Sequence, residues 1–179
     1  VHVGGPAGLT HATPQGDVAE TRALFHQLDL DPTKTRPSSE ALLRRVLQGK
    51  GLPQVNAAVD VCNLCSLEDQ IPLGLYDRDQ VRGGVRALVG REGDGYPGIR
   101  KQRVNLSGRL LLSDDEGPFG APTSDSLRTA VTVKSCNLLV VLFCPLDRAG
   151  SDLTAALEHV ADRLTRYCSA SVTAVRVAR

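Results

Sequence analysis

Six hydrogen-bonding side chains crowd the stretch 123–129: Thr123, Ser124, Asp125, Ser126, Arg128 and Thr129. A carboxylate close to a guanidinium, with hydroxyls around both, suits an amino-acid-like ligand, because ammonium pairs with Asp and carboxylate with Arg. The same composition also makes a turn whose Asp and Ser bond their own backbone. A second polar set lies upstream. Asn56, Asp60 and Asn63 fall at i, i+4 and i+7, so on a helix they share one narrow stripe. Val55, Ala58, Val59, Cys62 and Cys65 make the rest of that helix apolar. A polar stripe on a buried helix either faces a cavity or ties neighbouring loops. Neither set holds a nucleophile beside a His, and GxGxxG, P-loop, GxSxG and HExxH motifs are absent. No catalytic side chain is assigned on these grounds, and no metal or cofactor is expected. Cys62 and Cys65 form a CxxC, but without a second pair or a His at ligand spacing they read as small core residues.

The elements that must position these residues follow from periodicity. Asp17 and Glu20 form a capping box ahead of a helix carrying Leu24, Phe25 and Leu28. Ser38 opens a second helix, with Leu42, Leu43, Val46 and Leu47 facing in and Arg44 and Arg45 facing out, stopped by GKGLP at 49–53. The helix of the polar stripe spans about 54–67, and a short extended piece follows at 71–79. Strands are expected at 84–90, 102–112 and 130–134, a central strand at 137–145, a helix from Asp152 to Arg166 and a last strand at 171–177. Helices first, strands in the middle and one late helix define an α+β class. The expected architecture is N-terminal helices packed on a mixed, mainly antiparallel β-sheet with one late helix. Residues 1–16 read as a loose N-terminal arm and 17–179 as a single domain.

Composition narrows the partners. The 179 residues are 41% hydrophobic and carry a net charge of +1, which fits a globular chain and excludes gripping nucleic acid by bulk charge. Three Phe, three Tyr and no Trp leave no aromatic platform for stacking bases. Any RNA contact therefore rests on local patches, for which Arg44 and Arg45 with Lys50, and Arg100 and Lys101 with Arg103, are the candidates. The alternative for both is a solvated face. Five cysteines, no signal-like opening and no run of eighteen apolar residues predict reduced thiols, a cytoplasmic location and no membrane partner. No DNA partner is expected either.

The order of motifs carries a resemblance. LLRRVLQGKGLPQVNAAVDVCNLCSLEDQIPLGLYDRD (42–79) is similar to the opening of the B3/B4 editing domain of the bacterial phenylalanyl-tRNA synthetase β subunit. NAAVDVCN (56–63) and IPLGLYD (71–77) resemble its Asn-bearing helix and its Pro–Leu–His strand. LLLSDDEGPFG (110–120) and VTVKSCNLLVV (131–141) follow in the same order, and SDSLRT (124–129) resembles free-standing relatives of the domain. The resemblance implies a B3/B4-like fold without a synthetase catalytic core. It also implies hydrolysis of the ester of mischarged aminoacyl-tRNA in trans, with the aminoacylated 3′ end of tRNA as partner. The rival expectation is a non-catalytic module that binds an amino acid, a tRNA end or a protein.

The resemblance further implies a substrate pocket. The family's helix Asn matches Asn63 and its strand Pro matches Pro72. Gly74 stands where the family has a His, and Leu127 where it has a Glu, so the two groups that select a tyrosine hydroxyl are expected to be lost. Asp125 and Arg128 are expected to take over the loop's role. The substrate-binding set is then Asn56, Asp60, Asn63, Pro72, Gly74, Tyr76, Ser124, Asp125, Ser126, Arg128 and Thr129.

Overall fold

Strand β1 (Leu73–Asp77) separates two apolar cores, because successive side chains of a strand point to opposite faces. Leu73 and Leu75 pack with Val61, Cys62, Cys65, Val160 and Leu164. On the other face Tyr76 joins Phe25, Val81, Leu112, Phe119 and Phe143. The computed structural model describes residues 18–27, 36–99, 102–145 and 150–177. The expected arm at 1–16 and the capping Asp17 lie outside them.

Four helices are described: α1 (Val18–Gln27), α2 (Ser38–Leu47), α3 (Ala57–Asp69) and α4 (Gly150–Cys168). Helix α3 lies between α2 and α4 and rests on β1. It starts three residues later than its hydrophobic pattern predicts. The Asn56 side chain accepts from the Val59 N–H at 3.0 Å, making Asn56 the N-cap with extended backbone. Asp60 accepts from the Val55 N–H at 2.8 Å, which holds the preceding residue outside the helix. Helix α2 begins at Ser38 as expected, but Leu47, expected to face in, is 77% exposed. The helix ends at Leu47 and the chain turns through Gly49 at φ +73°, so that last apolar residue projects into water.

The remaining strands are β2 (Arg86–Val89), β3 (Gly95–Tyr96), β4 (Val104–Asn105), β5 (Leu110–Asp114), β6 (Gly117–Gly120) and β7 (Leu138–Leu142). They form three small sheets, β1–β7, β2–β5–β6 and β3–β4, and every pairing among the described residues is antiparallel. The class is α+β, as expected, while the single mixed sheet is replaced by these three. Residues 102–112 divide into two strands because Gly108, at φ +69°, turns the chain. Residues 130–134 are not a strand: the Thr132 N–H donates to Ser135 Oγ and the Ser135 N–H returns to the Thr132 carbonyl, closing a turn. Residues 171–177 alternate as a strand would, yet pair with no strand among the described residues, and Val172, Val175 and Val177 are exposed. Cys62 and Cys65 are buried thiols, and burial pushes both up to about 12, which keeps them unreactive.

Among the described residues, no helix is long and apolar enough to cross a membrane. Polar contacts clamp α3 to α4 where the CxxC helix ends. His159 Nδ1 lies 3.0 Å from Asp69, and Arg163 lies 2.9 Å from Glu68.

Candidate functional site

The chain after β6 returns along the free edge of β1. A bridge pairs Tyr76 with Ala130, and the Asp77 N–H donates to the Thr129 carbonyl at 2.9 Å. The segment 121–130 is therefore held at the strand that carries Gly74 and Tyr76, although 49 residues separate Tyr76 from Asp125.

Tyr76 is fully buried, and its ring meets Phe119 edge-on at 5.0 Å between centroids. Its hydroxyl donates to Asp125 Oδ1 at 2.8 Å. Two glycines make room for the phenol. A methyl on Gly74 would fall 2.1 Å from the Tyr76 hydroxyl oxygen, and one on Gly120 would fall 2.3 Å from it. The space that a glycine at 74 was expected to open is thus filled by the chain's own tyrosine, because residues 74 and 76 share one face of β1. Leu127 points outward, 58% exposed, with its N–H on the Pro97 carbonyl at 2.9 Å. The acidic side chain that the loop sends inward is Asp125.

Burial raises the Asp125 carboxyl to about 7, against the opposing pull of the Tyr76 hydroxyl and the Ala121 N–H. Burial, and then the adjacent Asp125, push the Tyr76 phenol well above its ordinary value. Tyr96 braces the same loop by donating to the Ser124 carbonyl at 2.5 Å.

Arg128 does not pair with Asp125. Its two terminal nitrogens grip Asp114 at 2.9 and 3.0 Å, and one of them also donates to the Gln80 carbonyl at 2.8 Å. Glu116 lies 3.3 Å away and the guanidinium sits 5.8 Å from the Phe119 ring centre. Burial alone would raise Asp114. The Arg128 guanidinium, helped by the N–H groups of Arg82 and Glu116, outweighs it and holds the carboxyl below its usual range. The neighbouring hydroxyls are also engaged locally. Ser126 Oγ accepts from the Arg128 N–H at 3.0 Å, and Thr129 Oγ1 donates to the Phe119 carbonyl at 3.4 Å.

The structure thus brings Gly74, Tyr76, Ser124, Asp125, Ser126, Arg128 and Thr129 to one edge of β1. Pro72 is buried just before that strand, where its carbonyl accepts from the Phe143 N–H at 3.0 Å. Asn56 and Asp60 serve instead to start α3. Asn63 is half-buried, and its amide has no hydrogen-bond partner among the described residues. Arg44, Arg45 and Lys50 are exposed around the C-terminal end of α2. Arg103 lines a separate open cleft of about 450 Å³ together with Glu92 and Asp94, so two carboxylates offset it. Arg100 and Lys101 lie outside the described residues. Asp114, Tyr96 and Gly120 escaped the sequence reading. Asp114 sits in an Asp–Asp–Glu–Gly run that reads as a turn, and nothing local marks it as the partner of Arg128.

A loop of polar groups docked against a glycine-bearing strand, on antiparallel sheets packed with helices, defines an α+β fold. The sequence model of the B3/4 domain matches residues 21–169, and the chain belongs to that family. Among curated proteins it is similar to the phenylalanine–tRNA ligase β subunit of Streptomyces avermitilis, 32% identical over 92 residues, which are 51% of this chain and 11% of that one. The same subunit from Bartonella henselae is 31% identical over 81 residues, 45% of this chain and 10% of that one. The matched part of this chain spans about a tenth of the length of these curated relatives.

Proposed function

We propose that this chain binds the aminoacylated 3′ end of tRNA and hydrolyses the ester of mischarged aminoacyl-tRNA in trans. The observation that carries this reading is Asp125, a buried carboxyl near 7, held 2.8 Å from a phenol at the edge of β1 in a B3/4 domain. A carboxyl poised near neutral pH is matched to proton transfer. In the proposed step water attacks the ester carbonyl and gives its proton to the Asp125 carboxylate. The tetrahedral intermediate then collapses, and the departing ribose oxygen receives that proton. Tyr76 fixes the carboxyl, and positioned water with an oriented ester is enough for such a reaction.

A second reading, a non-catalytic binding module, is favoured by the internal engagement of Arg128, Ser126 and Thr129. A panel of aminoacyl-tRNAs separates the two. Release of amino acid from at least one, abolished by Asp125→Asn, supports hydrolysis. Binding without release from any supports the module. Tyr76 fills the space beside Gly74, so the reading expects no strong preference for tyrosyl over phenylalanyl ester. An apolar wall discriminates only about 10–200-fold per methylene, whereas a built hydrogen bond gives about 10⁴–10⁵.

A further inference from the structure

The β3–β4 ribbon carries an open cleft of about 450 Å³, lined by Glu92, Gly93, Asp94, Arg103, Asn105 and Ser107. That size falls within the range of about 300–1,000 Å³ usual for small-molecule sites. Alternation along β4 builds one wall. Val104 is buried in the core, so Arg103 and Asn105, one residue to either side, stand on the opposite, exposed face. Asn105 lies across from Gly95 in the antiparallel pair. The missing side chain at 95 leaves a floor on which Arg103 rests. A methyl there would fall 2.4 Å from the Val104 carbonyl oxygen and 3.3 Å from Arg103 Nη2.

Backbone groups hold the lining side chains in place, and each keeps polar capacity to spare. Arg103 Nη2 donates to the Gly93 carbonyl at 2.8 Å, which fixes the guanidinium and leaves its other N–H groups uncommitted among the described residues. Asp94 accepts from the Arg91 N–H through one oxygen at 2.7 Å, and its second oxygen is unused. Asn105 Oδ1 accepts from the Ser107 N–H at 3.0 Å, which leaves the Asn105 NH2 group to donate. Glu92 is exposed and Asp94 half-buried. Both line the cleft with Arg103, yet no ion pair joins either to it among the described residues. Charges that could neutralise one another are thus held apart with a cleft between them. A guanidinium fork matches a carboxylate, and a carboxylate matches an ammonium. Two carboxylates against one guanidinium give the cleft one net negative charge, so its complement carries one carboxylate and two cationic groups.

We propose that the β3–β4 cleft binds a free basic amino acid. Its α-carboxylate lies on the Arg103 guanidinium and the Asn105 amide, and its α-ammonium and side-chain cation are shared between Asp94 and Glu92. The cleft is separate from the loop that carries Asp125, and the inference does not rest on the hydrolytic reading.

The test is a titration of the ¹⁵N-labelled chain with L-lysine in the millimolar range, read at the Gly93, Asn105 and Ser107 amides. The expected result is saturable movement of all three. L-Alanine, which lacks the second cation, should bind about two- to fivefold more weakly, the worth of one exposed ion pair. Lysinamide and cadaverine, which lack the carboxylate, should bind about tenfold more weakly, the loss of hydrogen bonds to a charged group. Glu92→Gln removes an exposed carboxylate without a partner, so it should weaken lysine about two- to fivefold at an unchanged melting temperature. Arg103→Gln should weaken lysine about tenfold. That variant also gives up the bond to Gly93, so unshifted Tyr96 and Val104 amides are the check that the ribbon is intact. Silent amides with lysine overturn the site. Cadaverine or lysinamide binding as tightly as lysine also overturns it, since the cleft would then be a surface that attracts any cation. Unchanged lysine affinity in Glu92→Gln overturns it as well. Ester hydrolysis plays no part in these readouts, so failure of the deacylation assay leaves them standing.

Discussion

Replacing Asp125 by Asn separates the charge of this carboxyl from its shape. The amide oxygen still accepts from the Tyr76 hydroxyl, so the 2.8 Å contact survives. What disappears is the buried titration. Burial lifts the carboxyl from 3.8 to about 7 in the folded chain. The folded state therefore holds its proton to higher pH than the unfolded one. Its contribution to stability is fully present below about pH 4, is lost as pH rises toward 7, and stays lost above that. The gap between 3.8 and about 7 corresponds to about 4 kcal/mol as a ceiling. Asp125→Asn should accordingly match the parent near pH 4 and exceed it by up to about 4 kcal/mol at pH 8. Urea unfolding of both proteins at pH 4, 6 and 8 measures this, and other titrating groups cancel in the difference. Tyr76→Phe, which removes the donor, should push the pH-dependent loss to still higher pH. The deacylase reading adds that the stabilised variant is inactive. Parallel stability curves for parent and Asp125→Asn would refute the argument, since they would mean the carboxyl is not held near neutrality by burial.

Arg128→Ala leaves the fully buried Asp114 carboxylate without its bidentate partner and should cost about 3–5 kcal/mol in chemical denaturation. The loss should shrink as pH falls through the depressed folded-state value of Asp114, where the carboxyl takes a proton. Unchanged stability with lost activity would instead make Arg128 a ligand-facing residue. Gly74→Ala forces a methyl against the Tyr76 ring and should lower stability by about 1–3 kcal/mol, read as a fall in melting temperature. If RNA lies along α2, replacing Arg44 and Arg45 together by Ala should reduce the slope of log affinity against log salt by about 0.7–0.9 per contact. A slope unchanged from the parent would dismiss that patch.

The parts of this fold that were legible in the sequence are those governed by neighbours a few residues apart. The 3.6-residue period placed α2, α3 and α4, and the continuous apolar run of 137–145 placed β7. Even the small error at the start of α3 was local in origin, since Asn56 is a better cap than a first-turn residue. The α+β class and the resemblance to the B3/B4 domain followed from the order of such elements. Nothing local, by contrast, selects a partner for a charged group. Asp125 and Arg128 stand three residues apart and look like a pair, yet Asp125 meets Tyr76, 49 positions away, and Arg128 meets Asp114, 14 positions away. Gly74 looked like an opened pocket because its neighbour across the strand face, Tyr76, was invisible as a filler until β1 was formed and packed. Residues 171–177 have a strand's alternation, but a strand exists only when another edge accepts its hydrogen bonds, and no described residue does. Composition and periodicity determined which elements this protein has. Tertiary packing alone decided which carboxylate was neutralised by a guanidinium and which was buried near neutrality, because both depend on desolvation and on contacts between residues far apart in the chain.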